Sequence, residues 1–235
     1  GGYQSYRRLV VERLYETAFP TQIILLDGNT GTAKTDVITR LPALGVQSID
    51  LEGLANHSGS AFGSVGTQPS QKGFETALAA KIAALDPMQP VVIEAESSRI
   101  GALTLPPSLL TAMKGADRIE VEASLEARAS YLTRAYADLA RDIPAGVARL
   151  QKLVRFQGHD KVAAWSQLAE AGDHKALAAE LMRDHYDPLY RKARVRHAPG
   201  THQIVTAGAL DVADIERVSA QVAAAVSKIR SKTQD

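Results

Sequence analysis

The sequence predicts an α/β fold, a parallel sheet with helices on both faces and a helical insertion. Three observations carry that prediction. Short apolar runs alternate with segments of helical periodicity up to about residue 123 and again after residue 200, the pattern of strands joined by crossover helices. The first apolar run, "QIILLD", leads directly into a loop of small residues that ends in Lys34-Thr35 and opens a helix. From about 125 to 187 the pattern is helical without a strand, so an insertion or lid interrupts the sheet.

Taken in order, residues 3–18 read as an amphipathic linker helix with Tyr3, Tyr6, Val10, Leu14 and Ala18 at helical spacing. "QIILLD" is a short buried strand, and a helix from about Ala33 to Leu41 is ended by Pro42 and Gly45. "VQSIDLE" is a second strand, followed by an irregular loop over 53–70 whose length favours a functional role. "QKGFETALAAKIAAL" is a helix with Ser70 as N-cap and Phe74, Leu78, Ile82 and Leu85 on one face. "PVVIEAE" and "RIEVEA" are the third and fourth strands, and Ser124 caps the next helix, which carries Leu125, Ala129, Leu132, Tyr136 and Leu139. Breaks at Gly158 and Gly172 divide the helical pieces of 145–187. "HQIVTA" is a fifth strand, and Asp211 caps a closing helix over 211–230. The expected division is a linker helix at 1–20, an α/β domain at 21–124 and 200–235, and a helical insertion with a basic segment at 125–199.

The 235 residues are 45% hydrophobic and 23% charged, ordinary for a globular protein with a sizeable core. A formal net charge of +1 gives no global attraction to nucleic acid, so a basic site has to come from clustering. The absence of cysteine excludes disulfides, thiolate metal sites and cysteine nucleophiles in this chain. No apolar run reaches the ~18 residues of a membrane span, and no signal peptide is visible, so no membrane partner and a cytoplasmic location are expected. The chain opens on Gly1-Gly2 without Met, which reads as an excised or processed piece.

The loop after the first strand holds the chemistry. A phosphate-binding loop of the form G-x-x-x-x-G-K-[ST] needs exposed backbone N–H groups, a helix N-terminus, a cation and a hydroxyl for Mg²⁺. Here the positions are Gly28, Asn29, Thr30, Gly31, Thr32, Ala33, Lys34 and Thr35, complete except for Ala33 in place of the second framework glycine. The strand–loop–helix context defines a P-loop NTPase-like class; the bland alternative is a structural glycine-rich turn. Ala33 is harmless at negative φ and costs about 1 kcal/mol or more at positive φ. Such loops work with an acid at the end of another strand. Glu94 and Glu96, two apart at the end of "VVIEAE", fit: one to hold a Mg²⁺-bound water, the other to pair with Arg99. The alternative is a pair of solvated acids. Thr35 and Glu94 are accordingly the expected metal-side residues.

The phrases around this loop resemble those of tRNA 2-selenouridine synthases. That family's "LDLEGLANHRGSAFG", "QPSQKxFE" and "LDPxxPVxxExESxxIG" are matched by "IDLEGLANHSGSAFG" at 49–63, "QPSQKGFE" at 68–75 and "LDPMQPVVIEAESSRIG" at 85–101. "HYDPLY" at 185–190 matches a later family phrase, and "GGYQSYRR" resembles the segment joining its rhodanese-like domain to its P-loop domain. The resemblance implies the C-terminal P-loop domain of such an enzyme, a transferase that geranylates wobble 2-thiouridine in tRNA with geranyl diphosphate and converts it to 2-selenouridine with selenophosphate. A rhodanese-like domain is the implied partner, in the parent chain or in trans. On that reading Gly28 to Thr35, with Ser60, Lys72 and Arg99, bind the diphosphate, Mg²⁺ assists, and His57, Glu94 and Glu96 are the catalytic candidates. Ala33, Ser58 and Ser98 depart from the family pattern, the two serines standing where basic residues are usual.

The loop "EGLANHSGSAFG" gathers Glu52, His57, Ser58 and Ser60 beyond a strand end, where parallel sheets bind ligands. His57 is a donor candidate or a solvated loop histidine; Phe62 and Val65 line a prenyl pocket or anchor the loop. From 188 to 210 there is no acid, and Arg191, Lys192, Arg194, Arg196 and His197 follow Tyr186 and Tyr190. Cations beside aromatics suit tRNA, although a solvated face has the same composition. A second set, Arg128, Arg134, Arg141, Arg149, Lys152 and Arg155, extends that track across the insertion. Two other functions fit the periodicity: a small-molecule or nucleoside kinase with the insertion as lid, and a non-catalytic tRNA-binding module.

Overall fold

In the computed structural model, residues 2–57, 67–135, 142–195 and 202–233 are described. Five parallel strands form the sheet: β1 (Ile23–Asp27), β2 (Gln47–Ile49), β3 (Val91–Glu94), β6 (Asp117–Glu122) and β7 (His202–Thr206), in the order β2-β3-β1-β6-β7. A small antiparallel hairpin, β4 (Arg99–Ile100) with β5 (Leu103–Thr104), lies outside it. β1 is buried along its whole length, and its alternate residues feed two separate cores. Ile23 and Leu25 pack with one cluster, Ile24 and Leu26 with the other, as the two-residue period of a strand requires.

The first face is covered by α1 (Tyr3–Val11), α4 (Gln71–Ala83) and α5 (Pro107–Met113), through Val10, Phe74, Leu78, Ile82 and Leu109. The second is covered by α2 (Lys34–Arg40) and the long α12 (Val212–Thr233), through Val37, Ile38, Val218, Val222 and Ile229. This is an α/β P-loop NTPase-like fold. Between β6 and β7 the described residues form α6 (Leu125–Ala135), α7 (Ile143–Gln151), α8 (Val154–Gln157), α9 (His159–Glu170), α10 (His174–Leu181), a π turn at Met182–Tyr186 and α11 (Asp187–Val195). They bury a core of their own around Leu150, Val162, Trp165, Leu177 and Leu181. Gly158 and Gly172, at φ +84° and +76°, break them where expected. Ser70, Ser124 and Asp211 cap their helices by accepting from Gly73, Ala127 and Asp214 N–H groups.

The N-terminal helix, the second strand and the stretch between β3 and β6 differ from the sequence expectation. The N-terminal helix is regular only to Val11, and then widens into a π turn over Glu12–Glu16 closed by Thr17 N–H to Glu12 O (2.9 Å). Val10 and Leu14 are buried, whereas Tyr6, within the regular helix, and Ala18, beyond the Thr17 cap, are exposed. The second strand stops at Ile49 instead of Glu52. Asp50 accepts from Gly53 N–H (2.6 Å) and starts a one-turn helix, α3 (Leu51–Leu54). The β4–β5 hairpin and α5 had no counterpart in the expectation, although Pro106-Pro107 is a helix-start signal.

Among the described residues no helix is long and apolar enough to cross a membrane.

Candidate active site

The loop leaves the C-terminal end of β1, between β3 and β6, where the chain's crossovers change direction and open parallel sheets hold their ligands. Asp27 is buried, ion-paired with Arg118, and accepts from the Gly28 N–H (2.7 Å). Gly28 stands at φ +153°, and a Cβ there would lie 2.5 Å from Thr32 Oγ1 and 2.7 Å from Val121 O, so only glycine fits. Thr32 was expected on the ligand, but it is buried with its hydroxyl and N–H both directed to Asn29 O (2.9 and 3.3 Å). It closes the loop on itself and frames the site from behind. Ala33 is the N-cap of α2 in the left-handed conformation (φ +58°, ψ +30°), 3% exposed. The missing framework glycine is therefore at the position where its absence strains the backbone.

Lys34, first residue of α2, lies half-buried with Nζ donating to Gly28 O (2.7 Å) and 5.5 Å from the centre of the Tyr190 ring. Burial opposes its charge, but Tyr190, Glu52, Glu96 and Asp27 outweigh burial and hold its pKa above the ordinary value. Thr35 is exposed and its hydroxyl faces Glu52 Oε2 (3.3 Å). Glu52 reaches this place because the short helix α3 turns it back over the end of β3. Its backbone N–H donates to Glu94 Oε2 (3.0 Å), while Glu94 Oε1 is buried without a partner. Asn29 Oδ1 is a second buried oxygen without a partner.

The acid beside Thr35 is thus Glu52, with Glu94 beneath it, fully buried; this corrects the expectation that Glu94 itself faces the metal side. Burial pushes Glu94 well above the usual carboxylate range, and Glu52, Asp50 and Glu96 push it further. Glu96, half-buried, is raised to about 7 by burial and by Glu52, against the pull of Lys34. Arg99 pairs with neither acid: the chain turns at Glu96–Ser97, Ser97 Oγ donates to Arg99 O (2.7 Å), and the hairpin carries the side chain into solvent. Lys72 is exposed on the first turn of α4. His57 is half-buried, and its Nδ1 is buried without a partner. Ser58, Ser60, Phe62 and Val65 lie outside the described residues.

Crowded carboxylates with an unpartnered oxygen, beside a threonine hydroxyl, fit a divalent cation. No three His, Cys, Asp or Glu side chains among the described residues are placed to hold a metal unaided. Mg²⁺ would then draw its remaining ligands from phosphate oxygens and water, as it does in phosphate-transfer sites.

On the insertion, Arg191 and Lys192 are exposed on α11; the side chain of Arg194, and Arg196 and His197, lie outside the described residues. The second cationic set does not form one track. Arg128 is buried and clasps Asp187 with two bonds (2.9 and 2.8 Å) while donating to Thr30 O (3.2 Å). Arg134 donates to Leu210 O (2.9 Å). Lys152 and Arg155 remain exposed, Arg155 4.5 Å over the Phe156 ring; Arg141 lies outside the described residues. The Arg128–Asp187 pair had no sequence signal, because its partners are 59 positions apart.

Fold and loop together define an α/β P-loop NTPase-like domain whose helices between β6 and β7 pack against the loop through Arg128 and Tyr190. The family described as "tRNA 2-selenouridine synthase AAA domain" matches residues 21–157. The chain belongs to the tRNA 2-selenouridine synthase family. Curated relatives of that name include one from Cupriavidus pinatubonensis, 32% identical over 81% of this chain and 59% of its own length. One from Hahella chejuensis is 38% identical over 68% of this chain and 40% of its own. The chain thus spans about 59% of the length of the first of these relatives, and 61% of that of another from Pseudomonas syringae pv. tomato, 30% identical over 84% of this chain. A solved gluconokinase from Sinorhizobium meliloti 1021 overlays 93% of this chain and 98% of its own at 13% identity, with a TM-score of 0.37, too low to carry over function.

Proposed function

We propose that this chain is the phosphate-handling part of a tRNA-modifying transferase. Its loop holds the diphosphate of geranyl diphosphate while the sulfur of a wobble 2-thiouridine attacks the prenyl carbon. The carbon–sulfur bond forms, the carbon–oxygen bond to diphosphate breaks and the N3 proton leaves; selenium from selenophosphate then displaces the S-geranyl group at C2 as geranylthiol, and hydrolysis of the selenium–phosphorus bond releases phosphate and 2-selenouridine. The observation that carries this reading is the loop itself, Lys34 and Thr35 at a helix start beside Glu52, in a chain whose family members are named for 2-selenouridine synthesis.

Each side chain has a task on this reading. Lys34 swings from Gly28 O onto the leaving diphosphate, and the loop N–H groups and the α2 terminus share the charge. Glu94 holds the α3 backbone and so sets the position of Glu52. His57 offers its unpartnered nitrogen as a donor to the diphosphate or the thiocarbonyl. Mg²⁺, when bound by Thr35 and Glu52 with Glu96 alongside, would neutralise part of the diphosphate charge. Arg191 and Lys192 attract the tRNA backbone.

The test is binding of geranyl diphosphate against ATP, with and without Mg²⁺, to wild type and Lys34→Ala. A charge-assisted contact is worth about 1.5–3 kcal/mol, so Lys34→Ala should lose tenfold or more in geranyl diphosphate affinity while remaining folded. Unchanged binding would remove the loop from the mechanism. Tight ATP with no geranyl diphosphate binding would favour a kinase, and tRNA binding alone a non-catalytic module.

A further inference from the structure

We propose that Arg128 and Asp187 are positioning residues that couple occupancy of the phosphate loop to RNA binding on α11. The inference rests on the reading above, in which the loop takes a diphosphate and α11 faces tRNA.

Three parts of the chain meet at Arg128. It belongs to α6, it donates to the loop carbonyl of Thr30 (3.2 Å), and its guanidinium grips the Asp187 carboxylate through two nitrogens. The loop and α6 are in close contact as well: a Cβ at Gly31 would lie 3.1 Å from Arg128 Cβ and 3.1 Å from Leu132 Cγ. Asp187 is the first residue of α11. One turn on, at positions three and four further, come Tyr190 and Arg191, on the same side of the helix as Asp187. Tyr190 lies against the Lys34 ammonium and Arg191 is exposed. The helix that offers cations to RNA therefore touches the phosphate loop twice, through Asp187–Arg128–Thr30 and through Tyr190–Lys34.

Both links involve atoms that respond to an anion. A bound diphosphate orders the segment that carries Thr30 O, and it draws Lys34 away from Gly28 O. The first change strengthens the platform under Arg128, and the second releases the Tyr190 face toward an incoming base. Charge alone would have the opposite sign, since a bound diphosphate repels RNA phosphates, and that repulsion does not pass through the clamp. The clamp's share of the coupling is what its removal abolishes.

The measurement is anisotropy of labelled, thiolated tRNA titrated with the chain, with and without saturating inorganic pyrophosphate and Mg²⁺, and the converse titration of pyrophosphate with and without tRNA. Wild type should bind tRNA about fivefold or more tighter with pyrophosphate, and pyrophosphate tighter with tRNA by the same factor, because such coupling is reciprocal. The double variant Arg128→Gln/Asp187→Asn removes both charges at once and leaves no buried charge alone. It should bind each ligand separately within about threefold of wild type and show coupling below about twofold. If circular dichroism shows that this variant does not fold, Arg128→Lys, which keeps the charge but cannot hold both Asp187 oxygens and Thr30 O at once, should show the same loss of coupling. Coupling that survives in the folded variant, or that is absent in a wild type binding both ligands, overturns the proposal. Failure of wild type to bind either ligand overturns the parent reading and this one with it.

Discussion

Ala33 offers a quantitative test of the loop. Its left-handed backbone (φ +58°) costs an L-residue about 1–2 kcal/mol. Ala33→Gly recovers that strain, but loosens the unfolded chain by about 0.5–1 kcal/mol and forfeits a buried methyl worth about 0.8 kcal/mol. The three effects nearly cancel, so Ala33→Gly should lie within about 1 kcal/mol of wild type. Ala33→Val differs in kind. A β-branched residue is an outlier at this φ, and with the site only 3% exposed the extra methyls have no room, so a loss of about 2–4 kcal/mol is expected. Urea unfolding with a shared m-value measures both. A valine variant within about 0.5 kcal/mol of wild type, or a glycine variant losing more than about 2 kcal/mol, would show that residue 33 does not hold this conformation. Geranyl diphosphate affinity in Ala33→Gly should be preserved or improved, since the loop N–H groups are unchanged; a marked fall would refute the role assigned to the loop.

Neutralising Arg191, Lys192, Arg194 and Arg196 together should weaken tRNA binding and reduce the slope of log K against log salt by about 0.7–0.9 for each phosphate no longer neutralised. An unaltered slope would mean the tRNA lies elsewhere. Given thiolated tRNA, geranyl diphosphate and Mg²⁺, this cysteine-free chain should form S-geranyl-thiouridine, detected by mass spectrometry of digested tRNA. Selenation should await a rhodanese-like partner with its cysteine, if selenium travels as a perselenide; selenouridine made by this chain alone would refute that division.

What the sequence made legible follows from how local each signal is. "IILLD" reads as a buried strand and Gly28–Thr35 as a phosphate loop because strand burial and loop chemistry are encoded within a few residues. The caps at Ser70, Ser124 and Asp211 are local in the same way. Glu52 reads as the tail of a strand because "VQSIDLE" alternates like one, yet the Asp50 cap, three before Gly53, is there to end it. That one boundary decides which acid faces Thr35. Ala33 needed a backbone angle that no pattern supplies. The Arg128–Asp187 clasp and the Arg7–Glu75 ion pair, 68 positions apart, needed the tertiary fold, and composition made Arg128 look like one more surface cation.

The acids around Lys34 make the pH dependence of diphosphate binding a further test. One ammonium faces Glu52 and Glu96, while Asp27 is already engaged by Arg118. Burial and its carboxylate neighbours hold Glu94 well above the usual carboxylate range. Glu96, raised to about 7, changes charge within the working range. Below that value it is neutral and tolerates a bound anion; above it, it adds a negative charge to the site. At a separation of roughly 6–8 Å and an effective dielectric of about 20, that charge costs a diphosphate about 2–3 kcal/mol. Without Mg²⁺, affinity should therefore fall tenfold or more as pH rises through about 7. With Mg²⁺ the sign reverses, since the ionised carboxylate attracts the cation that the proton had excluded. Glu96→Gln should flatten the fall in the metal-free titration and lose the rise in the other. Calorimetric titrations between pH 6 and 8, in both conditions and with both proteins, read four slopes. Equal metal-free slopes in wild type and Glu96→Gln would show that Glu96 does not titrate beside the bound anion, and that the carboxylate cluster stands apart from the phosphate loop.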